Sequence, residues 1–447
     1  MDRRKFLAST GLAAGSLLMN PVNSVAARRT PGKKRKMALV GTGIRGVNMF
    51  GRDLLRQYGE YVELVGLCDI NPGRLRYADG YIGANCPTFT DLEEMIRKQK
   101  PEVIIVTSED SSHHTVIIKA MEMGCDIITE KPLTIDEGKA QEILDAQKRT
   151  GREIIVTFNY RYPPYRAKMK QLINDGLIGD INTVEFHWNI DHSHLTRYMQ
   201  RWHGYKDHGG TLWVHKSTHH FDMVNWFLDS EPKEVFAYAS LDRYGKNGKF
   251  RGKNCRNCEY TAKCPYYWDI NANAHLKALY ADNEQYDGYI RDNCVFRESI
   301  DIYEHHNAVV KYMNGAVLNY SLTGDTDYEG YWIAFNGTKG RLEARIEGYP
   351  QKDYAEITFT PIDRYTDEKP KIFRVDYTRA GHWGGDVLMM DKLFKDPDMP
   401  DPLRQQATLR DGVMSILTGV AARQSVESGK TVQIQDLTTL KPKVKVV

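Results

Sequence analysis

The sequence has little excess charge of either sign, which argues against a nucleic-acid-binding function. Its 61 Lys and Arg residues nearly cancel its 58 Asp and Glu residues, so the formal charge is only +3 over 447 residues. Apart from a short KKRK run, nothing indicates the basic surface that nucleic-acid binding requires. Internal repeats and low-complexity blocks are also absent, which is typical of globular proteins. At roughly 100–200 residues per domain, the length predicts two domains.

Long apolar runs are scarce, and the most prominent lies near the start. Arg3 and Arg4 precede a mostly apolar stretch, Phe6 to Met19, which small residues near Ala26 follow. The stretch is shorter than the ~20 residues that a membrane-spanning helix needs. The pattern predicts a twin-arginine signal peptide over residues 1–30 and export of the folded protein to the periplasm. A basic disordered tail is the alternative, and we expect no membrane span in the rest of the chain.

A glycine motif follows the first strand-like run. Gly41, Gly43 and Gly46 have G-x-G-x-x-G spacing, and a helical pattern begins behind them. In this motif the glycines permit a tight turn, a close approach to a pyrophosphate, and close packing of helix on strand. The next strand ends in Asp69, where an acid can bind both ribose hydroxyls and would repel a 2′-phosphate. We therefore predict NAD rather than NADP, although the nearby Arg74 leaves NADP open.

Strands and helices then alternate up to residue 158. This alternation predicts an α/β fold with a parallel, doubly wound sheet over residues 35–158. Ligands of such sheets bind beyond the carboxyl ends of the strands. Lys131, in the tripeptide Glu130-Lys131-Pro132, lies at the end of the fifth apolar strand. An ammonium there would stabilise the developing alkoxide of an alcohol, while a neighbouring base takes its proton.

These motifs, with a later helix that carries His and Asp, resemble the Gfo/Idh/MocA (glucose–fructose oxidoreductase / inositol dehydrogenase) family. The resemblance implies a Rossmann domain followed by a C-terminal α/β domain, residues 159–447, with a large open, mostly antiparallel sheet. It also implies hydride transfer at a sugar or cyclitol hydroxyl. Carried over by position, the implied contacts are Ile44 and Arg45 to the pyrophosphate, Asp69 to the adenosine ribose, and His113, Glu130, Lys131 and Asn159 around the nicotinamide ribose. The family's usual "TP" after the fourth strand is "TSEDSS" here, so the contacts of that loop are less defined.

The stretch LWVHKSTHHFD places His215, His219 and Asp222 at positions i, i+4 and i+7, on one face of a helix. The resemblance assigns His219 to proton exchange with the substrate hydroxyl, and Asp222 to supporting the helix from behind. His215 stands where the family usually has an acid, and it could orient the substrate or relay the proton. The main base therefore stays open among His219, His215 and Lys131. Two histidines at this spacing can also bind zinc, which is a less favoured alternative.

Four late cysteines form a second group. Cys255, Cys258 and Cys264 have C-x2-C-x5-C spacing, and Cys294 follows in the same predicted insertion, residues 245–298. Four thiolates suit a structural zinc ion. Two disulfides, an iron–sulfur cluster or free thiols are the alternatives.

The sequence thus predicts an exported NAD-dependent oxidoreductase that acts on a secondary hydroxyl of a sugar or glycoside, as a glucoside 3-dehydrogenase does. One alternative is NAD-assisted glycoside hydrolysis or lysis through transient oxidation. Another is a non-catalytic sugar-binding protein with a relic nucleotide site. The resemblance also implies a homo-oligomer, a dimer or a tetramer.

Overall fold

The computed structural model describes residues 33–348, 353–362, 369–378 and 381–445. The predicted leader, residues 1–30, lies outside the described residues. The described chain forms two sheets of seven and nine strands. Strands and helices are numbered below in chain order.

The first sheet is the predicted parallel one. Its strands are β1 Arg35–Val40, β2 Val62–Cys68, β3 Thr88–Phe89, β4 Val103–Val106, β5 Asp126–Thr129, β6 Ile154–Val156 and β15 Ala407–Thr408. They lie in the order β15-β6-β5-β4-β1-β2-β3, and all pairs are parallel except β15 with β6. Ala38 and Val40 of β1 pack into one apolar core, whereas Met37 and Leu39 pack into another. Both faces of the sheet are therefore covered, as the continuous apolar strands predict.

Helices connect these strands. They are α1 Leu54–Tyr58, α2 Pro72–Ile82, α3 Leu92–Gln99, α4 His113–Glu122 and α5 Glu137–Thr150. A π-helical segment, Gly46–Asp53, runs directly into α1. The Asp136 carboxylate accepts the Lys139 N–H and caps the start of α5. Gly151, in a left-handed conformation, ends α5.

The second sheet contains nine strands. They are β7 Ile181–Asp191, β8 Pro232–Ser240, β9 His305–Tyr312, β10 Val317–Thr326, β11 Gly330–Gly337, β12 Gly340–Glu347, β13 Tyr354–Pro361, β14 Lys371–Asp376 and β16 Val432–Gln433. Their order is β14-β13-β12-β11-β7-β10-β9-β8-β16. Only β7 and β10 pair in parallel, so the sheet is mostly antiparallel. The predicted fold class is confirmed.

The remaining helices link the two sheets and cover them. They are α6 Pro164–Asn174, α7 His192–Gln200, α8 Lys206–Gly209, α9 Leu212–His215, α10 Ser217–Leu228, α11 Ala274–Leu279, α12 Gly385–Met390 and α13 Leu409–Ser428. The single helix predicted from Leu212 is two helices, because α9 ends at His215 and α10 begins at Ser217. Every residue of α10 is buried, so this helix belongs to the core. Within the described ranges, no helix is long and apolar enough to cross a membrane.

An insertion separates β8 from β9. Residues 241–304 add no strand to either sheet and contain α11 and short 3-10 turns. The insertion reaches the first domain: the Asn71 side-chain amide donates to Asn283 O, and Arg76 donates to the Tyr286 hydroxyl. It therefore bridges the first and second halves of the chain.

Candidate active site

The glycine-rich turn has the close approaches that its motif predicts. Gly41 has a φ of +94°, and a Cβ added there would lie 2.4 Å from Ser108 N. A Cβ on Gly46 would lie 2.2 Å from Gly41 O. The first and third glycines are therefore required by packing. Beside Gly43, in contrast, the nearest atom is a side-chain oxygen, the Tyr280 hydroxyl, 3.2 Å from the added Cβ.

The two residues predicted at the pyrophosphate have protein partners. Ile44 N donates to the Tyr280 hydroxyl at 2.7 Å, so an oxygen from the insertion accepts from the amide that the motif offers to a phosphate. Arg45 Nε donates to Glu130 Oε1 at 2.7 Å. This pair joins the glycine-rich turn to the end of β5. Arg45 and Glu130, which were predicted separately, are thus brought together.

Asp69 lies at the end of β2, as predicted, and both of its oxygens accept hydrogen bonds. Thr42 donates to Oδ2 from N at 2.8 Å and from Oγ1 at 3.0 Å. Asn71 N and Arg74 Nη2 donate to Oδ1 at 2.9 Å and 3.0 Å. Arg74 also pairs with Asp287 of the insertion at 2.6 Å. Since two carboxylates hold Arg74, it is not a free cation for a 2′-phosphate.

His113 and Asn159 border the turn that carries Lys131. The ring nitrogens of His113 lie 2.9 Å from Pro132 O and 3.2 Å from Ser108 O, so this histidine joins two strand-end loops. Burial lowers the pKa of His113. Asn159 Nδ2 donates to Asp386 Oδ1 at 2.6 Å, whereas its buried Oδ1 has no partner among the described residues. Asn159 Oδ1 is therefore an acceptor available to a ligand.

Lys131 contacts one of the two predicted histidines directly. Its Nζ donates to His215 O at 3.1 Å and lies 3.5 Å from His215 Nε2. His215 Nδ1 lies 2.5 Å from Asp110 Oδ2. Asp110 belongs to the loop after β4, and His215 is the last residue of α9. Three distant segments thus form one chain, Asp110–His215–Lys131.

The electrostatics of this chain favour proton exchange. Burial lowers the pKa of Lys131 to about 8, and Asp110 and Glu130 oppose that effect. Burial also lowers the pKa of His215, and the charges of Lys131 and Arg201 lower it further. A neutral His215 that donates from Nδ1 to Asp110 presents the lone pair of Nε2 to Lys131. Burial raises the pKa of Asp110.

A second lysine lies in the same pocket with different partners. Lys216 Nζ is 3.4 Å from Glu329 Oε1 and 3.3 Å from the Tyr160 hydroxyl, and it lies over the Trp188 ring at 4.6 Å. Burial alone would lower the pKa of Lys216, but Tyr160 and Glu329 outweigh it and raise the pKa above its ordinary value. Lys216, with His194 assisting, in turn lowers the pKa of Glu329 to about 2 against the effect of burial. This pair stays charged.

The charge of Lys131 acts on His219, but His219 is not part of the hydrogen-bonded chain Asp110–His215–Lys131. The His219 ring stacks on Tyr160 with centroids 4.1 Å apart and an interplanar angle of 12°. Burial lowers the pKa of His219, and the charge of Lys131 is the next contribution. Its buried Nδ1 has no hydrogen-bond partner in the part of the chain that the structure describes. Asp222 accepts from Arg161 at 2.8 and 2.5 Å and so supports α10 from behind.

The late cysteines also come together. Cys255, Cys258, Cys264 and Cys294 line one cavity of about 20 Å³ in the insertion. All seven cysteines are free thiols, so the two disulfides considered as an alternative are not formed in this structure. Backbone N–H groups of Tyr260 and Phe296 donate to the sulfurs of Cys258 and Cys294, each at 3.4 Å. Among the described residues, no three of these sulfurs lie mutually within 4.8 Å.

Sequence reasoning missed several residues of the pocket. They are Asp110, Tyr160, Lys216 as a charged partner, and Glu329. Asp110 lies in the loop after β4, which departs from the family pattern. Ligands bind beyond the carboxyl ends of parallel strands, so its position in the sequence could have indicated it. Glu329 had no such signal, because it lies in a turn between β10 and β11 and reaches Lys216 only through the fold.

Two family models match the chain. Residues 35–158 match the model described as "Oxidoreductase family, NAD-binding Rossmann fold", and residues 170–434 match "Oxidoreductase family, C-terminal alpha/beta domain". Both are Gfo/Idh/MocA models. Together they cover most of the chain, and the glycine-rich turn, Asp69 and Lys131 lie within the first match.

Individual proteins show the same likeness. YteT of Bacillus subtilis, an oxidoreductase by name, is 34% identical over 425 residues, which cover 90% of this chain and 98% of YteT. The inositol 2-dehydrogenase/D-chiro-inositol 3-dehydrogenase of Lactiplantibacillus plantarum is 25% identical over 244 residues, 51% of this chain and 67% of that protein. The structure of a levoglucosan dehydrogenase in complex with NADH and levoglucosan has a TM-score of 0.66 at 18% identity, and covers 90% of this chain and 100% of that one. The last comparison supports the fold alone.

Proposed function

The chain belongs to the Gfo/Idh/MocA oxidoreductase family, and on that premise we propose that it is an NAD-dependent dehydrogenase that oxidises a secondary hydroxyl of a sugar or glycoside. The single observation that carries the proposal is the hydrogen-bonded chain Asp110–His215–Lys131 at the carboxyl edge of the first sheet, in which Asp110 and His215 are buried and Lys131 is partly buried. Hydroxyl oxidation requires removal of a proton, and this chain offers a basic amine with a relay behind it.

The residues present fit NAD. Among the described residues, the Tyr280 hydroxyl is the only atom within 4 Å of a Cβ added at Gly43, and Asn159 Oδ1 is a buried acceptor without a partner. The turn Gly41–Gly46 would hold the diphosphate, Asp69 the adenosine ribose, and Glu130 with Asn159 the nicotinamide side. NAD, when bound, supplies the hydride acceptor.

The proton path follows from the hydrogen bonds. Neutral Lys131 Nζ accepts the hydroxyl proton and, as an ammonium, stabilises remaining negative charge on the oxygen. It then donates towards His215 Nε2, whose Nδ1–H is held by Asp110. His219, stacked on Tyr160, has one ring nitrogen, Nδ1, without a partner among the described residues, and its ring would orient the sugar. In this assignment Lys131 is the base, His215 relays the proton, and Asp110 positions His215.

Absorbance of purified protein with NAD, titrated with a panel of sugars and glycosides, tests the proposal. We expect at least one sugar to reduce NAD with formation of a keto-sugar. Release of aglycone from aryl glycosides without net NADH would instead support transient oxidation followed by elimination. Absence of any NAD binding would contradict both readings and favour a sugar-binding protein.

We also propose that the four late cysteines bind a structural zinc ion. Support comes from their shared cavity and from the backbone N–H groups that donate to two sulfurs, an arrangement that stabilises thiolates. The side chains must contract around the ion, since structural Zn–S distances are about 2.3 Å. Elemental analysis should find one zinc per chain in the unaltered protein and in Cys86→Ser, and none in Cys258→Ser. Full zinc content in Cys258→Ser would exclude this site.

Export and self-association complete the proposal. The twin-arginine leader predicts a periplasmic protein, and fractionation of cells that express the unaltered chain or Arg3→Lys/Arg4→Lys tests it.

Tyr238 and Val309 are 68% and 46% exposed on the second sheet and offer an apolar surface for a second copy. Light scattering should report a dimer or tetramer that Tyr238→Lys weakens; a monomer at all concentrations would contradict this.

A further inference from the structure

Two arginines near the pocket are held without a counter-ion. Arg201 follows α7, and Arg291 lies in the insertion with only 7% of its surface exposed. Nε of Arg201 and both Nε and Nη1 of Arg291 are buried and have no hydrogen-bond partner among the described residues. Neither guanidinium forms an ion pair in the described chain. Buried charges are normally paired, so these two indicate a missing anion.

The local contacts orient the pair without neutralising it. The Arg291 guanidinium lies 5.0 Å from the centre of the Tyr280 ring, and Arg201 hydrogen-bonds to Tyr289. Burial, followed by the charge of Arg291, lowers the pKa of Arg201, so the two cations lie close enough to repel. A nearby arginine behaves differently: Arg297 donates to carbonyl oxygens of Cys294 and Arg201 and to the Tyr205 hydroxyl. Arg297 thus has the carbonyl and hydroxyl partners that the unpaired nitrogens of Arg201 and Arg291 lack among the described residues.

The pair borders the reaction chain. The charges of Arg201 and Arg291 both add to burial in lowering the pKa of His203. The His203 ring packs edge-on against His215 at 4.1 Å, and Arg201 also acts on His215. An anion bound by the two guanidiniums would thus lie beside the residues that exchange the substrate proton.

We propose that the substrate is an acidic sugar, and that Arg201 and Arg291 bind its carboxylate. This inference rests on the proposed dehydrogenase function and narrows its substrate class to uronic acids and their glycosides. The planar fork of a guanidinium matches the two oxygens of a carboxylate. A neutral sugar would leave two like charges buried together, whereas a uronate neutralises them.

The diphosphate of the cofactor is the other anion within reach, because the Arg291 guanidinium lies against the Tyr280 ring, and the Tyr280 hydroxyl accepts from Ile44 N of the glycine-rich turn. The substrate carboxylate is favoured because both guanidiniums act on His203, which packs on the proton chain and not on the glycine-rich turn. The two sources differ in what the loss of a guanidinium affects: sugar selectivity in one case and NAD affinity in the other.

The experiment compares D-galacturonate and D-glucuronate with their methyl esters, which have the same hydroxyls but no charge. NAD reduction gives kcat/KM, and calorimetry with the NAD-loaded protein gives the sugar Kd. We expect the acids to exceed the esters by about 10- to 100-fold, the range of one or two charge-assisted hydrogen bonds. Arg201→Gln and Arg291→Gln should each remove most of that preference and leave the Kd of NAD unchanged. Arg251→Gln, an exposed arginine of the same insertion, should keep the preference.

Equal values for acid and ester in the unaltered protein overturn the inference, with no variant required. A lower NAD affinity in the arginine variants with unchanged sugar preference assigns the pair to the diphosphate and also overturns it. If no sugar is oxidised, the proposed function fails, but preferential binding of the acids in calorimetry still supports the carboxylate site.

Discussion

Lys131, which is partly buried, and Lys216, which is buried, lie in one pocket, and their surroundings act on them in opposite directions. Burial lowers the pKa of Lys131 to about 8, and its contacts are with a neutral imidazole and a carbonyl. Lys216 is held by Glu329 and Tyr160, which raise its pKa despite burial. The difference lies in the direct partners: Tyr160 and Glu329 beside Lys216 outweigh the effect of burial on its pKa, whereas Asp110 and Glu130 only partly offset burial at Lys131.

This contrast separates two roles that the sequence alone could not. A lysine with a pKa near working pH can take and return a proton, so Lys131 suits the reaction itself. A lysine that stays charged cannot exchange a proton in this way. Lys216 therefore supports the pocket, because it pairs with Glu329 and packs on the Trp188 ring. Variants of the two lysines and of their partners test whether Lys131 and Lys216 have these different roles.

The largest expected effect is the loss of Lys131. In Lys131→Ala the hydroxyl proton has no acceptor, so kcat/KM should fall by about 10³-fold, within the range of general acid–base contributions. The Kd of NAD, measured by fluorescence, should change little. Lys98→Ala, an exposed lysine of α3, is the control and should keep full activity. An equal loss of activity and NAD affinity in Lys131→Ala would show a binding role instead.

Removal of Lys216 should act on stability first. Lys216→Met leaves Glu329 as a buried charge without its cation, at a cost of about 3 kcal/mol in the free energy of unfolding. Denaturant titration measures this loss. The double variant Lys216→Met/Glu329→Gln should recover most of it, because no charge is then left unpaired. If the single variant is as stable as the unaltered protein, Lys216 does not stabilise the pocket through its pair with Glu329.

Asp110→Asn should produce a smaller, directional change. The charge of Asp110 raises the pKa of Lys131, so its removal should move the midpoint of the pH–rate profile downward. A tenfold loss of kcat, on the order of one weakened relay hydrogen bond, should accompany it. Glu109→Gln is the matched control, since Glu109 pairs with the exposed His208. An upward shift in Asp110→Asn would contradict the proposed chain.

Much of the fold and half of the pocket follow from the sequence for a physical reason. The glycine-rich turn, Asp69 and Lys131 each stand at the end of a parallel strand, and such ends meet at one edge of the sheet. The pattern of a single segment therefore suffices to place them. The parallel and mostly antiparallel sheets follow in the same way, from apolar runs and alternation.

The rest depends on contacts between distant segments. Asp110 and His215 are 105 residues apart, and Lys216 and Glu329 are 113 residues apart. No local pattern records either pair. The break between α9 and α10 is similarly hidden, because the apolar spacing continues across Lys216. Partners of a known motif residue are thus less predictable than the residue itself.

The pH dependence of NAD reduction under single-turnover conditions, at saturating sugar, tests the central claim most directly. If Lys131 is the base, the rate should rise with pH to a plateau with a midpoint near pH 8, because only the neutral amine accepts the proton. A midpoint well below an unperturbed histidine pKa of ~6.5, or no pH dependence at all, would contradict the assignment and return the role of base to His219 or His215, because burial lowers the pKa of both.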